Sequence, residues 1–277
     1  MVYLIIATVL FSLSFGLIKQ NLSTLPAEFV AFLRLFLAGV IFLPLFKIAN
    51  IKKQSVALLI GIVQFGVMFL CFIKAFNYLQ GNEIAILTTS TPLFVGIWAV
   101  LFGEKFKPVY VLCILLSILG AIIILWQNIS FDFIVKGILL METSNCAFAL
   151  GQVLWKKYIG NLGNNYIATA YFGAALFVLP FLVFGVDVNK ISLTTVQILS
   201  ILYLAILPTG VGFFLWNKGA SLVKYSTLAV MNNLKIPLGV LFSILIFGEK
   251  ISVVNFLIGS FVILAAILIL YFSQREK

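Results

Sequence analysis

The stretch from Asn82 to Lys105, NEIAILTTSTPLFVGIWAVLFGEK, is written a second time from Thr227 to Lys250 as TLAVMNNLKIPLGVLFSILIFGEK. Each copy is an apolar span with a proline near its centre, Pro92 or Pro237, and an abrupt Gly-Glu-Lys stop, Gly103–Lys105 or Gly248–Lys250. At an offset of roughly 145 residues and without gaps, Pro92–Leu125 and Pro237–Leu270 agree at roughly 15 of 34 positions, far above chance even for apolar sequence. A chain duplicated in this way builds one unit twice.

The solvent of that unit follows from composition. Charged residues are 9% of the chain and mean hydropathy is +1.21, values that no water-facing surface permits. Apolar runs of about 20 residues separated by short polar breaks read as transmembrane helices. Ten are expected: Val2–Ile18, Glu28–Phe46, Ser55–Asn77, Ile84–Phe102, Pro108–Trp126, Phe133–Trp155, Asn165–Phe184, Thr195–Trp216, Thr227–Phe247 and Val253–Phe272. The net charge of +10 does not indicate nucleic acid, because Lys and Arg stand singly or in pairs at helix ends and form no basic face. Cys71, Cys113 and Cys146 lie in apolar spans without CxxC spacing, and histidine is absent, so neither a disulfide framework nor a metal or other cofactor is indicated. Val2–Ile18 lacks a basic leader and is not expected to be a cleaved signal peptide.

Weaker matches carry the repeat into earlier spans: Leu43-Pro44 with Leu179-Pro180, and Phe36-Leu37-Ala38 with Phe172-Gly173-Ala174. Each unit therefore holds five spans, residues 1–127 and 128–277. Five is odd, so the second copy enters the bilayer from the opposite side, and inverted repeats are a mark of secondary transporters. The side carrying both termini has Lys47, Lys52, Lys53, Lys105, Lys107, Lys156, Lys157, Lys218, Lys224, Arg275 and Lys277; the other has Lys19, Lys74, Lys136, Lys190 and Lys250. That bias places both termini in the cytoplasm, although the first span alone, followed by Lys19, argues the other way.

Ten spans as five plus five, with a Pro-centred helix ending in Phe-Gly-Glu-Lys in each half (Pro92 with Phe102–Lys105, Pro237 with Phe247–Lys250), resemble the drug/metabolite transporter superfamily, specifically its EamA-type permeases. Arg34 in AFLRLFLAG looks like the arginine often found early in that family's second helix. The resemblance covers essentially the whole chain. It implies an exporter or importer of small metabolites in the plasma or inner membrane, with a central cavity between helices 3, 4, 8 and 9.

Lys235 is the leading site candidate. It lies about nine residues, or about 12 Å, into the ninth span, where a lysine costs on the order of 2.5–3.5 kcal/mol by insertion scales. Two residues later Pro237 removes a backbone bond and frees the carbonyl of Asn233, and Asn232 shares the helical face of Lys235. A ligand site is one reading; a structural lysine that snorkels is the other. Glu142, with Asn145, Ala149 and Gln152, forms a polar stripe on the sixth span at a depth that permits a pair with Lys235. That pair would serve either structure or proton and substrate binding. In the first half Ser90 takes the place of Lys235 and Thr88 that of Asn233. The Thr88–Thr91 run is also suited to satisfying the carbonyl that Pro92 frees. Gln64 is a further cavity candidate, whereas Arg34, about six residues into its span, reads as a structural residue that snorkels.

Together these residues predict a secondary transporter of small polar metabolites such as amino acids or organic acids. It would work by alternating access, with Pro92 and Pro237 as hinges and Lys235, Asn232, Asn233, Glu142, Asn145, Ser90, Thr88 and Gln64 at the substrate. No Walker A stretch is present, which leaves exchange or proton coupling as the energy source. The competing classes are an intramembrane enzyme, for which the chain offers no His, GxSxG or HExxH, and a non-transporting scaffold, which has little need of a buried polar set.

Overall fold

The computed structural model describes residues 1–47, 50–79, 81–105, 107–126, 135–247 and 252–275. The expected boundary at residues 127 and 128 and the second Gly-Glu-Lys stop lie outside the described residues.

Among the described residues the chain is helical throughout, with no strand. Its helices are α1 (Val2–Ser12), α2 (Ala27–Ile41), α3 (Ile51–Ala75), α4 (Gly81–Thr88), α5 (Thr91–Leu101), α6 (Pro108–Leu125), α7 (Val135–Leu154), α8 (Ile167–Gly185), α9 (Thr195–Leu222), α10 (Tyr225–Met231), α11 (Lys235–Phe247) and α12 (Val253–Arg275). Seven helical stretches among the described residues are long and apolar enough to cross a membrane: Ile51–Ala75, Glu83–Leu101, Pro108–Leu125, Val135–Asn165, Ile167–Gly185, Thr195–Leu222 and Val253–Gln274. The stretches expected as the first, second and ninth spans are helical but shorter or interrupted: α1 runs on irregularly to Leu22, α2 has 15 residues, and a 3-10 turn at Asn232–Leu234 divides α10 from α11.

The exterior confirms the solvent. On α6, Leu112, Leu115 and Leu119 are each about half exposed, while Cys113, Ser117, Gly120 and Ala121 on the opposite face are buried. A helix with leucine outside and small or polar residues inside is built for hydrocarbon around it. Small residues also set how closely helices approach. At Gly120 on α6 an added Cβ would lie 2.7 Å from the carbonyl oxygen of Gly259 on α12, and at Gly61 on α3 it would lie 2.0 Å from that of Ala170 on α8.

The two proline helices are both broken. The first has a turn at Thr89-Ser90 between α4 and α5, with Pro92 in the opening turn of α5. The carbonyl that Pro92 frees is that of Thr88, and the Thr91 hydroxyl donates to it at 2.8 Å, as the hydroxyl run suggested. α5 then ends in a Schellman motif: Gly103 takes φ of +96°, its N–H donates to Val100 and that of Glu104 to Ala99, both at 2.9 Å. Glycine is required there because other residues enter this region at a cost.

Candidate substrate cavity

Phe213 of α9 anchors an aromatic cluster at the centre of the bundle, with ring centroids 4.5 Å from Phe11, 5.5 Å from Phe148 and 5.6 Å from Phe69. These four rings line one side of a cavity of about 80 Å³, and Ile18, Phe72, Met68, Met141 and Pro208 extend its apolar wall. Its polar residues are Ser14, Arg34, Thr88, Ser144, Asn145 and Lys235; among the described residues that line it there is no carboxylate. The expected contributions of the third, fourth, eighth and ninth spans are all present, and α1, α2 and α7 join them.

Lys235 opens α11 just after the 3-10 turn, and its ammonium lies 6.0 Å from the centre of the Phe148 ring. No ion pair joins it to Glu142, or to any carboxylate among the described residues. Glu142 is engaged elsewhere: its Oε2 accepts from Ser90 Oγ at 2.8 Å. Asn145 donates to the Leu87 carbonyl at 2.8 Å and to Ser90 Oγ at 3.0 Å. Two turns further along α7, Gln152 and Asn232 exchange amide hydrogen bonds, of which the shorter is 3.1 Å. The polar stripe of α7 thus faces into the bundle as expected, and what it grips is the break in each proline helix. From the opposite side Ser12 of α1 donates to the backbone carbonyl of Lys235 at 3.2 Å.

Of the sequence candidates, Lys235, Thr88 and Asn145 line the cavity, and Asn232, Asn233, Glu142, Ser90 and Gln64 do not contribute to its wall. Each of the latter makes a hydrogen bond within the bundle, although Asn233 Oδ1 is left buried without a partner. Asn232 lies three residues before Lys235, in the 3-10 turn, held by Gln152. Asn233 donates to Ser117 Oγ at 3.3 Å, and Gln64 and Asn217 bridge α3 and α9 with a 2.7 Å amide hydrogen bond.

The EamA-like transporter family matches the chain over residues 1–126 and 135–272. The chain belongs to this family. A probable biotin transporter of Pseudomonas aeruginosa is 35% identical over 99% of this chain and 98% of its own length. A biotin transporter of Escherichia coli is 31% identical over 96% and 91%, and a probable amino-acid metabolite efflux pump of Salmonella typhimurium is 28% identical over 99% and 95%. A solved crystal structure shares the fold at a TM-score of 0.78 and 18% identity, covering 99% of this chain and 98% of that one. This EamA-like protein is therefore a drug/metabolite transporter and not an enzyme, a multi-pass protein of the cell membrane that carries a small molecule.

Against this family background one expectation is corrected. Arg34 does not snorkel. It is 2% exposed and lines the cavity, with Nε donating to Thr209 Oγ1 at 3.0 Å and its guanidinium carbon 4.5 Å from the centre of the Phe69 ring. Depth along α2 suggested an escape to the interface, but α2 packs its small face on α8, where a Cβ at Gly39 would sit 3.0 Å from Phe172, and turns Arg34 inward. Asn217 was also missed. A buried amide in an apolar span was the only signal it gave.

Proposed function

We propose that the protein moves an amphipathic, carboxylate-bearing metabolite of the character of biotin across the cell membrane by alternating access. The cavity carries this reading: an apolar wall, two cationic side chains and no carboxylate among the described lining residues suit a molecule with a hydrocarbon body and one anionic end. An amino acid would bring its ammonium group toward Arg34 and Lys235, so the broader expectation of small polar metabolites narrows to acids. Biotin joins a carboxylate through an aliphatic chain to a thioether ring fused to a polar cyclic urea, and two of the relatives above bear its name. A ligand that binds only the folded state stabilises it, by about 2.7 kcal/mol at one hundred times its dissociation constant. Thermal unfolding of the purified protein in detergent is expected to shift upward with biotin and not with alanine or glutamate. Equal shifts for all three, or none for biotin, would refute this reading.

In the proposed cycle ten spans act as two inverted units, residues 1–127 and 128–277, with both termini cytoplasmic. The breaks before Pro92 and Pro237 support a hinge in each unit, since the regular helix there gives way to tighter 3-10-type turns. Single cysteines at Lys107 and Ser252, in a background without Cys71, Cys113 and Cys146, are expected to label from opposite sides. Labelling from the same side would exclude the inverted arrangement.

Glu142 is the proposed proton site, because it carries a carboxylate beside a helix break with no cation among the described residues paired to it. Glu142→Gln keeps an acceptor for Ser90, so its unfolding temperature is expected to match the parent's. Its uptake is expected to lose the response to an imposed pH gradient. An unaltered response removes Glu142 from coupling.

A further inference from the structure

We propose that Arg34 is the carboxylate subsite of the cavity, a fixed guanidinium that takes the anionic end of the substrate while the aromatic cluster takes its hydrocarbon part. This rests on the reading of the cavity as a site for amphipathic acids and names the residue that confers the preference.

Three observations carry it. The side chain is 2% exposed, yet no carboxylate among the described residues lies within ion-pair distance, so none of them neutralises this charge. Its Nη1 is buried without a hydrogen-bond partner, whereas Nε is held by Thr209. A guanidinium is a planar fork of five donors, always charged, whose geometry matches both oxygens of a carboxylate; a donor left idle on such a fork marks room for an acceptor. The group also lines the same cavity as Lys235.

The surroundings fix its direction. Thr209 lies in a wide π-helical turn of α9, Ala205–Gly212, which contains Pro208. The Tyr171 hydroxyl, from α8, lies 2.7 Å from the Thr209 carbonyl and 2.9 Å from that of Gly210, donating into the loosened backbone. Tyr171 thus holds the turn, the turn holds Thr209, and Thr209 with the Phe69 ring holds the guanidinium. This is a layer of support around a binding group, built from three helices besides its own.

Placement also gives the two cations different work. Arg34 sits within the unbroken α2, and Lys235 is the first residue of α11, directly after a break. A carboxylate held by the guanidinium attracts the ammonium, so the bound acid ties the mobile half of a proline helix to a fixed one. The empty site lacks that tie.

The test uses the full-length protein in detergent, reading binding by the shift in unfolding temperature, with biotin and its neutral carboxamide as the paired probes. Wild type is expected to prefer the acid by at least about tenfold in affinity, the scale of one charge-assisted contact. Arg34→Met keeps the apolar stem and is expected to bind acid and amide alike. Without ligand it should unfold at or above the parent's temperature, because an unpaired buried charge has been removed; a purely structural arginine would instead lower it. Arg34→Lys is expected not to restore the preference, since an ammonium cannot reach Thr209 and a carboxylate as a fork does. If Arg34→Met fails to fold, Thr209→Val serves: it keeps the charge and frees its direction, and should weaken biotin several-fold with the amide unchanged. Benzoate against benzamide repeats the comparison independently of biotin. An acid preference for benzoate that depends on Arg34, with no binding of biotin, would refute biotin as substrate and uphold the subsite. Retention of the acid preference in Arg34→Met or its full retention in Thr209→Val, or no acid preference in wild type for either pair, would overturn the subsite.

Discussion

Replacing Lys235 by alanine is expected to lower transport by about 10- to 100-fold while leaving expression and unfolding temperature near the parent's. The fall corresponds to one hydrogen bond to a charged group, about 1.5–3 kcal/mol. The fold should tolerate the change because the ammonium has no ion pair among the described residues and lies 6.0 Å from the centre of the Phe148 ring. Removing an intramembrane charge without a partner relieves a cost of on the order of 2.5–3.5 kcal/mol. A lysine kept for packing would behave in the opposite way, with stability lost and the rate per folded molecule unchanged. Lys235→Arg is not expected to rescue transport, since the broader guanidinium would crowd Phe148 and differs in donor geometry. Transport by Lys235→Ala at the normal rate, measured on reconstituted protein, would reduce Lys235 to a snorkelling residue.

Gly61→Val is expected to lower stability by about 3 kcal/mol or more, or to prevent folding, through an effect remote from the cavity. A Cβ at this position would lie 2.0 Å from the carbonyl oxygen and 2.5 Å from the Cα of Ala170. Both are backbone atoms, so no side-chain rotation gives relief, and α3 must separate from α8. The same pair of helices carries Gly173 against Leu58, where a Cβ would come 2.7 Å from the Leu58 carbonyl oxygen, which shows how little slack the contact has. Gly185 supplies the control. Nothing lies within 4 Å of its added Cβ, and Gly185→Ala should stay within roughly 0.5 kcal/mol of the parent. Similar unfolding temperatures for Gly61→Val and Gly185→Ala would mean that α3 and α8 do not pack this closely.

Much of the helical layout was legible because it is one-dimensional. Apolar runs mark the spans, prolines mark the breaks, and Thr91 stands three residues from the carbonyl that Pro92 frees. The inward face of Glu142, Asn145 and Gln152 on α7 was legible from their spacing. What these side chains touch was not, since hydrogen-bond partners depend on which helices become lateral neighbours. The expected pairing of Glu142 with Lys235 rested on depth alone, and the fold places Ser90 beside Glu142 instead. Arg34 was hidden for a related reason. Depth along α2 says how far an arginine must reach for water, but only the packing of α2 against α8 and α9 says that the route is closed. Asn232 and Asn233 precede Lys235 in the 3-10 turn, and which neighbours their amide nitrogens find, Gln152 and Ser117, could not be read from the sequence.

The central claim is that the cavity with Lys235 and Arg34 passes an amphipathic acid across the bilayer. Its most direct test is uptake of labelled biotin by liposomes containing the purified protein, preloaded with unlabelled biotin. The account predicts entry of label well above that of protein-free liposomes, slowed about 10- to 100-fold by Lys235→Ala and unaffected by excess alanine outside. Label entering no faster than into protein-free liposomes, or entry blocked equally by alanine and by unlabelled biotin, would contradict it.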